Sequence, residues 1–276
     1  MGTPLTVLSP AKLNLFLHIT GRRPDGYHQL QTLFALLAWG DTMSFTANDS
    51  GQITLDMPAL NIATHDNLII RAARKLQRGS LGAHITIDKK IPTGAGLGGG
   101  SSNAATTLLV LNNLWDLGFS IEELVNLGTS LGADVPVFVA GTTAWGEGIG
   151  DILTPEELPE SWYFVLIPGC QISTVEIFSH EQLTRDASAI KMASFFEGDS
   201  RNDCQPIVRK LYPEVDKALN WLDNFGEARL TGTGACIFAS FDTRAEAQAA
   251  YGELPEKWQG FVARGLNYSP VHPGLA

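Results

Sequence analysis

The sequence predicts an α+β chain built as two lobes that meet near residues 150–160. Three observations carry that expectation. The 276 residues suffice for one large or two modest domains. Strand and helix signals are mixed in both halves. Between the halves, residues 154–161 hold two prolines and three glutamates, a linker composition.

Taken in order, the first forty-odd residues read as β. Residues 13–20 carry apolar side chains at alternate positions, with Phe16 as an extra one. They stop at Gly21-Arg22-Arg23-Pro24-Asp25-Gly26, where proline presets one turn dihedral and glycine permits positive φ. Residues 33–39 form an apolar core segment, and residues 41–47 read as another strand. Asp66 has the chemistry of an N-cap for a helix over 67–78, in which Leu68, Ile69, Ala72, Ala73 and Leu76 fall at helical spacing. Gly79 then ends that helix. Residues 83–88 alternate as a half-buried strand does. A glycine-rich segment precedes a helix from 103 to about 115. Ser120-Ile121-Glu122-Glu123 is a capping box opening a helix that reaches about residue 131. Beyond the linker come a strand at 162–167, a helix at 213–224, a strand at 236–241, a helix at 243–251 and a strand at 259–264. No internal repeat is visible.

Composition narrows the function. Net charge is −10, which argues against nucleic acid as a partner, because such surfaces need clustered Lys and Arg. A small anionic ligand needs only a local positive pocket. The three cysteines, Cys170, Cys204 and Cys236, form no CxxC pair, and a reducing, cytoplasmic home follows. No apolar run reaches the ~18 residues of a membrane span, so no membrane is expected. The first residues lack the pattern of a secretory signal. His18, His65, His84, His180 and His272 have no zinc-ligand spacing and read as scattered structural or surface residues.

The segment 94–102 is the most informative, with five glycines in nine residues between a strand and a helix. Such a loop exposes successive backbone N–H groups that can wrap a phosphate. The helix behind it adds unpaired N–H groups and a positive dipole end. Gly94-x-Gly96-x-x-Gly99 satisfies a dinucleotide fingerprint, but that fold needs a second strand ending in an acid about 20 residues on. Here that region opens a helix, so a dehydrogenase is disfavoured. A Walker loop needs a lysine that this loop lacks. The alternative is a hinge or packing loop; the helix that follows at once favours phosphate binding.

At this point the sequence resembles the GHMP kinases. Their phosphate loop is similar to Pro92-Thr93-Gly94-Ala95-Gly96-Leu97-Gly98-Gly99-Gly100-Ser101-Ser102-Asn103-Ala104-Ala105, in which the added glycines and Asn103 depart from the general family pattern. Three further blocks agree in order. They are the N-terminal Pro10-Ala11-Lys12-Leu13-Asn14, the segment Leu131-Gly132-Ala133-Asp134-Val135-Pro136, and Arg229-Leu230-Thr231-Gly232-Thr233-Gly234. Gly21 to His28 resembles a substrate segment of the family member that shares the added glycines. The resemblance runs from about residue 7 to the C-terminus. It implies a two-lobe GHMP kinase fold, lobes 1–155 and 156–276, with the active site in the inter-lobe cleft.

The resemblance also implies chemistry. ATP would donate its γ-phosphoryl to the tertiary 2-hydroxyl of a small-molecule substrate, a cytidine-diphosphate-linked methylerythritol. Asp134 is the implied base; its plain alternative is a helix-end aspartate that stabilises a turn. Lys12 is its implied partner. It could hold Asp134 ionised, polarise the hydroxyl or touch the transferring phosphate, and its plain alternative is a surface lysine. Tyr27 and His28, with Phe178 from the other lobe, would clamp the pyrimidine. Asn14 and Thr174 are weaker candidates for polar substrate contacts. ATP would lie along Pro92 to Ser102, with Asn67 and Lys89 near the adenosine and residues 231–234 packed on the loop. Magnesium (Mg2+) is expected, because adjacent phosphates need charge neutralisation. Ser101 or Ser102 is the hydroxyl offered to it, and no separate carboxylate ligand is identified. Two alternatives stay open: a mevalonate- or homoserine-type kinase, and a nucleotide-binding protein of the same fold without catalysis.

Overall fold

Two long strands, β1 (Leu5–Arg22) and β2 (His28–Asn48), pair antiparallel over nearly their whole length and organise the rest of the chain. In the computed structural model, residues 3–57, 66–198 and 201–275 are described. His65 lies outside them. The predicted Pro24-Asp25-Gly26 turn joins the two strands, with Gly26 at φ +90° and Gly26 N donating to Arg23 O at 3.0 Å. The strands are longer than their sequence signals: the core segment 33–39 and the strand 41–47 are one element. Register shifts between Pro10 and Lys12, Asn14 and Leu17, and Ile19 and Gly21 break the alternation on which a strand reading depends. That is why Phe16 stood out as an extra apolar residue.

The other strands add to β2. On one side lie β4 (Gly82–Asp88) and, parallel to it, β3 (Ile53–Asp56). β5 (Ala144–Glu147) pairs with the early part of β2, and β6 (Ile152–Pro155) pairs with β5. β10 (Gln259–Leu266) touches β2 at Leu36 and Leu37 and carries β7 (Trp162–Ile167), β9 (Ile237–Phe241) and β8 (Arg229–Leu230). Among the described residues these ten strands form one continuous sheet.

Helices cover the two ends of that sheet. α1 (Leu68–Leu76), α2 (Gly99–Leu114), α3 (Ile121–Thr129) and α4 (Val135–Ala140) bury Leu108, Leu111 and Phe138 against Met43, Phe45 and Ile85. α2 is central, so Asn103 to Leu111 are all buried. Small residues at its start let β1 approach closely. In the other half come α5 (Thr174–Ser179), α6 (Met192–Phe196), α7 (Gln205–Leu211), α8 (Pro213–Leu222) and α9 (Arg244–Gly252). There Leu219 and Leu222 pack on Phe164 and Ile237. A third cluster spans the seam, joining Leu13, Phe16 and Leu37 to Val165, Phe238 and Ala263. The chain end then returns to the first cluster through Val271.

Two helix starts differ from the sequence reading. Asn67, not Asp66, caps α1, accepting from Ile69 N at 2.9 Å. α2 begins at Gly99, four residues early, because the glycine loop itself supplies its first turn. The Ser120–Glu123 capping box is present in both directions. β6 runs to Pro155, so the first two residues of the expected linker, Thr154 and Pro155, are strand.

Gly40 faces the first register shift. A Cβ there would lie 2.0 Å from Ser9 O and 2.8 Å from Pro10 Cα, both backbone atoms. Gly40→Ala is expected to lower the unfolding free energy in urea titrations by at least about 1–3 kcal/mol. Gly252→Ala, at the end of α9 where a Cβ meets nothing within 4 Å, is expected to be neutral or slightly stabilising.

Candidate active site

Between the two halves lies a cavity of about 940 Å³, lined by β1, the turn after it, the loop before α2, the start of α4, α5 and residues 232–234. Gly94, Gly96 and Gly98 alternate into positive φ at +67°, +77° and +73°. The carbonyls between them are turned into the protein. Ala95 O accepts from Cys236 N at 3.1 Å, Gly96 O from Lys12 Nζ at 3.0 Å, and Leu97 O from Lys12 N at 3.1 Å. In a trans peptide the N–H points opposite to the C=O. The N–H groups of Gly96, Leu97 and Gly98 therefore face away from those contacts, an arrangement that favours an anion. The N-cap of α2 is Gly98, which has no side chain to occupy the helix's first N–H groups.

The loop is held from behind by residues 231–234, as expected. A Cβ on Gly96 would lie 2.2 Å from Thr231 O, so only glycine permits this approach. Thr231 Oγ1 accepts from Asn14 N at 2.9 Å and donates to Gly96 O at 3.3 Å. Asn14 in turn accepts from Lys12 Nζ at 2.5 Å and donates to Thr32 Oγ1 at 3.0 Å.

Lys12 is no surface lysine. It is 3% exposed, and its Nζ reaches the cavity 3.4 Å from Asp134 Oδ2. Asp134 sits at the N-cap of α4, yet its side chain makes no cap hydrogen bond. The turn-stabilising alternative is thereby lost, and the carboxylate is left beside the ammonium at the cavity wall. Burial of Lys12 follows from the register shift after Pro10, which turns its side chain toward the loop.

Lys89 and Asn103 belong to a buried network that sequence reading missed. Its centre is Asp41, fully buried. One oxygen accepts from Lys90 N at 2.7 Å and Ile91 N at 2.8 Å. The other accepts from Lys89 Nζ at 2.5 Å and Asn103 Nδ2 at 2.9 Å. Asp41 thus ties β2 to the chain entering the glycine loop and to the first turns of α2, while Lys89 still lines the cavity. Nothing local in the sequence marks Asp41, since Asn103 lies 62 residues away. Asn67 also lines the cavity while capping α1.

Two expected loop contacts are placed elsewhere. Ser102 is fully buried; its hydroxyl donates to Pro10 O at 2.6 Å and its N–H to Gly98 O at 2.8 Å. Leu97 is buried in the seam cluster. Neither side chain lines the cavity, whereas Ser101 does, as do Pro92, Thr93, Ala95 and the glycines at 94, 96, 98, 99 and 100. Helical spacing explains this: consecutive serines in a first turn face different directions.

At the far end lie Tyr27, His28, Thr174 and Phe178. Tyr27 is exposed. The His28 and Phe178 rings stack with centroids 5.0 Å apart and 22° between planes. One face of Phe178 is thus turned to His28. Thr174 Oγ1 meets Thr233 Oγ1 at 3.0 Å. Burial, with Arg185 and Arg22 nearby, lowers the His28 pKa below its ordinary 6.5. Burial likewise lowers that of His272.

Removing the Asp41 carboxylate would strand two N–H groups and part-buried Lys89. Asp41→Ala is expected to cost about 3–5 kcal/mol in urea unfolding, and Asp41→Asn less. The two histidines stay neutral in the folded chain while the unfolded chain takes up protons. Their stabilisation is full above the ordinary histidine pKa of 6.5 and is lost as pH falls below it. Denaturation midpoints should therefore drop between about pH 7.5 and about pH 5.5, and His28→Gln should reduce that drop.

Two family models match the chain. GHMP kinases N terminal domain covers residues 67–142, and GHMP kinases C terminal covers residues 181–260. The 4-diphosphocytidyl-2-C-methyl-D-erythritol kinase of Hahella chejuensis is 55% identical, over 97% of this chain and 95% of that protein. The one of Marinobacter nauticus is 54% identical, over 100% and 99%. A crystal structure of 4-(cytidine 5'-diphospho)-2C-methyl-D-erythritol kinase superposes with TM-score 0.81 at 29% identity, over 94% of this chain and 98% of that one. A homoserine kinase from Cytophaga hutchinsonii matches in fold, with TM-score 0.69 at 16% identity over 98% and 97%. From the two domain models and the full-length relatives, the chain belongs to the GHMP kinase family.

Proposed function

We propose that this protein is a phosphotransferase that moves the γ-phosphoryl of ATP to the tertiary 2-hydroxyl of 4-diphosphocytidyl-2-C-methyl-D-erythritol, in the non-mevalonate route to isoprenoid precursors. The observation that carries the reading is one cavity with two unlike ends. The Lys12–Asp134 pair stands at the mouth of a phosphate-shaped glycine loop, and Tyr27, His28 and Phe178 stand opposite. The names of the full-length relatives support the same substrate. A mevalonate- or homoserine-type substrate would leave the aromatic end without a pyrimidine to meet, and a pure nucleotide binder would have no use for the buried Lys12 aimed at Asp134.

Phosphoryl transfer asks for positioning and charge stabilisation more than covalent chemistry. The loop N–H groups and the α2 N-terminus hold the nucleotide phosphates, with Asn67 and Lys89 on the nucleotide side. Asp134 takes the proton of the attacking hydroxyl as its oxygen bonds to the γ-phosphorus and the bond to ADP breaks. The Lys12 ammonium, held by Asn14 Oδ1 and Gly96 O, faces both the carboxylate and the developing negative charge. Asn14 and Thr174 supply polar contacts to the substrate.

No three His, Cys, Asp or Glu side chains among the described residues form a metal cage. Magnesium fits this set as an ion carried mainly by phosphate oxygens, with the Ser101 hydroxyl as a protein oxygen beside them. When bound it neutralises phosphate charge. Two lobes, 1–155 and 156–276, and a cytoplasmic location complete the proposal; no helix among the described residues is long and apolar enough to cross a membrane.

The test is ATP- and magnesium-dependent phosphorylation followed by product mass, with mevalonate and homoserine in parallel. Product from the cytidine substrate alone is expected; product from either of the others instead would overturn the assignment. Asp134→Asn is expected to lower kcat by about 10²–10⁴-fold with ATP affinity kept, as read by nucleotide titration. A fully active Asp134→Asn would remove it as the base.

A further inference from the structure

Arg185 is absent from every motif in the sequence, yet its guanidinium donates four hydrogen bonds. Its Nε donates to His28 Nε2 at 3.1 Å. One terminal nitrogen donates to Leu183 O at 3.1 Å. The other donates to Phe178 O at 2.8 Å and His180 O at 2.9 Å. Those carbonyls lie in the last turn of α5 and just beyond it, where helix carbonyls lack intrahelical partners. The planar fork therefore closes the end of α5 and reaches across to β2 in one rigid group.

We propose that Arg185 is a positioning residue for recognition of the base, fixing the tautomer of His28 and the stacked pose of His28 on Phe178. The inference rests on the proposed substrate and deepens it. A guanidinium carries donors only, so His28 Nε2 must accept, and in the neutral ring the proton then sits on Nδ1. Burial and the charges of Arg185 and Arg22 favour that neutral ring. His28 is thereby held as a single Nδ1–H donor at the cavity wall. A donor suits cytosine, whose edge offers the bare ring nitrogen N3 and the carbonyl O2. Uracil carries a hydrogen on N3, which meets such a donor badly. Without Arg185 the imidazole can exchange tautomers and present either a donor or an acceptor. Discrimination between the two bases then weakens, because specificity of this kind comes from leaving the wrong partner unpaired.

The experiment has two arms. In the first, ¹⁵N NMR of the substrate-free protein reads the His28 ring; the Nδ1–H tautomer is expected in the natural chain and tautomer exchange in Arg185→Ala. In the second, the same proteins phosphorylate the cytidine substrate and its uridine analogue. Arg185→Ala is expected to raise KM for the cytidine substrate about tenfold or more, with kcat and KM for ATP within about twofold, and to shrink the cytidine-to-uridine preference in kcat/KM by a similar factor. Arg185→Lys keeps the charge but not the fork and is expected to fail likewise. If Arg185→Ala does not fold, Arg185→Gln carries the same readouts. An unchanged His28 spectrum together with unchanged KM, or full rescue by Arg185→Lys, overturns the proposal. A natural chain that shows the fixed tautomer but makes no product from the cytidine substrate overturns the assigned substrate instead.

Discussion

The whole site depends on one close approach, that of the glycine loop to the turn at residues 231–234. Gly96 lies so near Thr231 that a single methyl group would meet its carbonyl oxygen. This contact joins the chain on either side of the seam. It also aims the loop carbonyls inward, toward Lys12 and Cys236, and so aims the intervening N–H groups outward. The outward N–H groups on which the proposed phosphate binding rests are thus a by-product of how the loop satisfies its own carbonyls. Positive φ at alternate glycines is the local condition, and the turn behind is the tertiary one.

The electrostatics follow the same logic. A chain with net charge −10 repels polyanions at long range. Inside the cleft the balance differs, because Lys12 and Lys89 are fixed at its wall by buried acceptors. Asn14 and Gly96 hold one, Asp41 and Asn103 the other. Each ammonium is desolvated by the fold and partly repaid by hydrogen bonds, which leaves it oriented rather than mobile. Preorganised charge of this kind is what phosphoryl transfer requires.

The opposite end of the cleft is built differently. There the rigidity comes from a guanidinium that fills carbonyls at the end of a six-residue helix and reaches a ring on β2. The glycine-loop end is shaped by backbone and the aromatic end by side chains. That division suits the tasks proposed for them, since phosphates are alike in every nucleotide and bases are not.

Much was legible in the residues themselves. The turn at Pro24-Asp25-Gly26, the Ser120 capping box and the strands at 83–88 and 162–167 are local, and local chemistry specifies them. The glycine loop, Lys12 and Asp134 were legible because their residue types and spacing match a family pattern. The long strands exceed their sequence signals, since register shifts erase the alternation that marks a strand. The two serines are equivalent in sequence, and only packing separates Ser101 at the cavity from Ser102 beneath β1. Asp41 and Arg185 were invisible, because Asn103 and His28, the partners across the fold, lie 62 and 157 residues away. Sequence by itself determined which segments turn, cap a helix and form the glycine loop. Tertiary structure decided which polar groups are buried against one another, because burial is a property of neighbours that the chain brings together only when it folds.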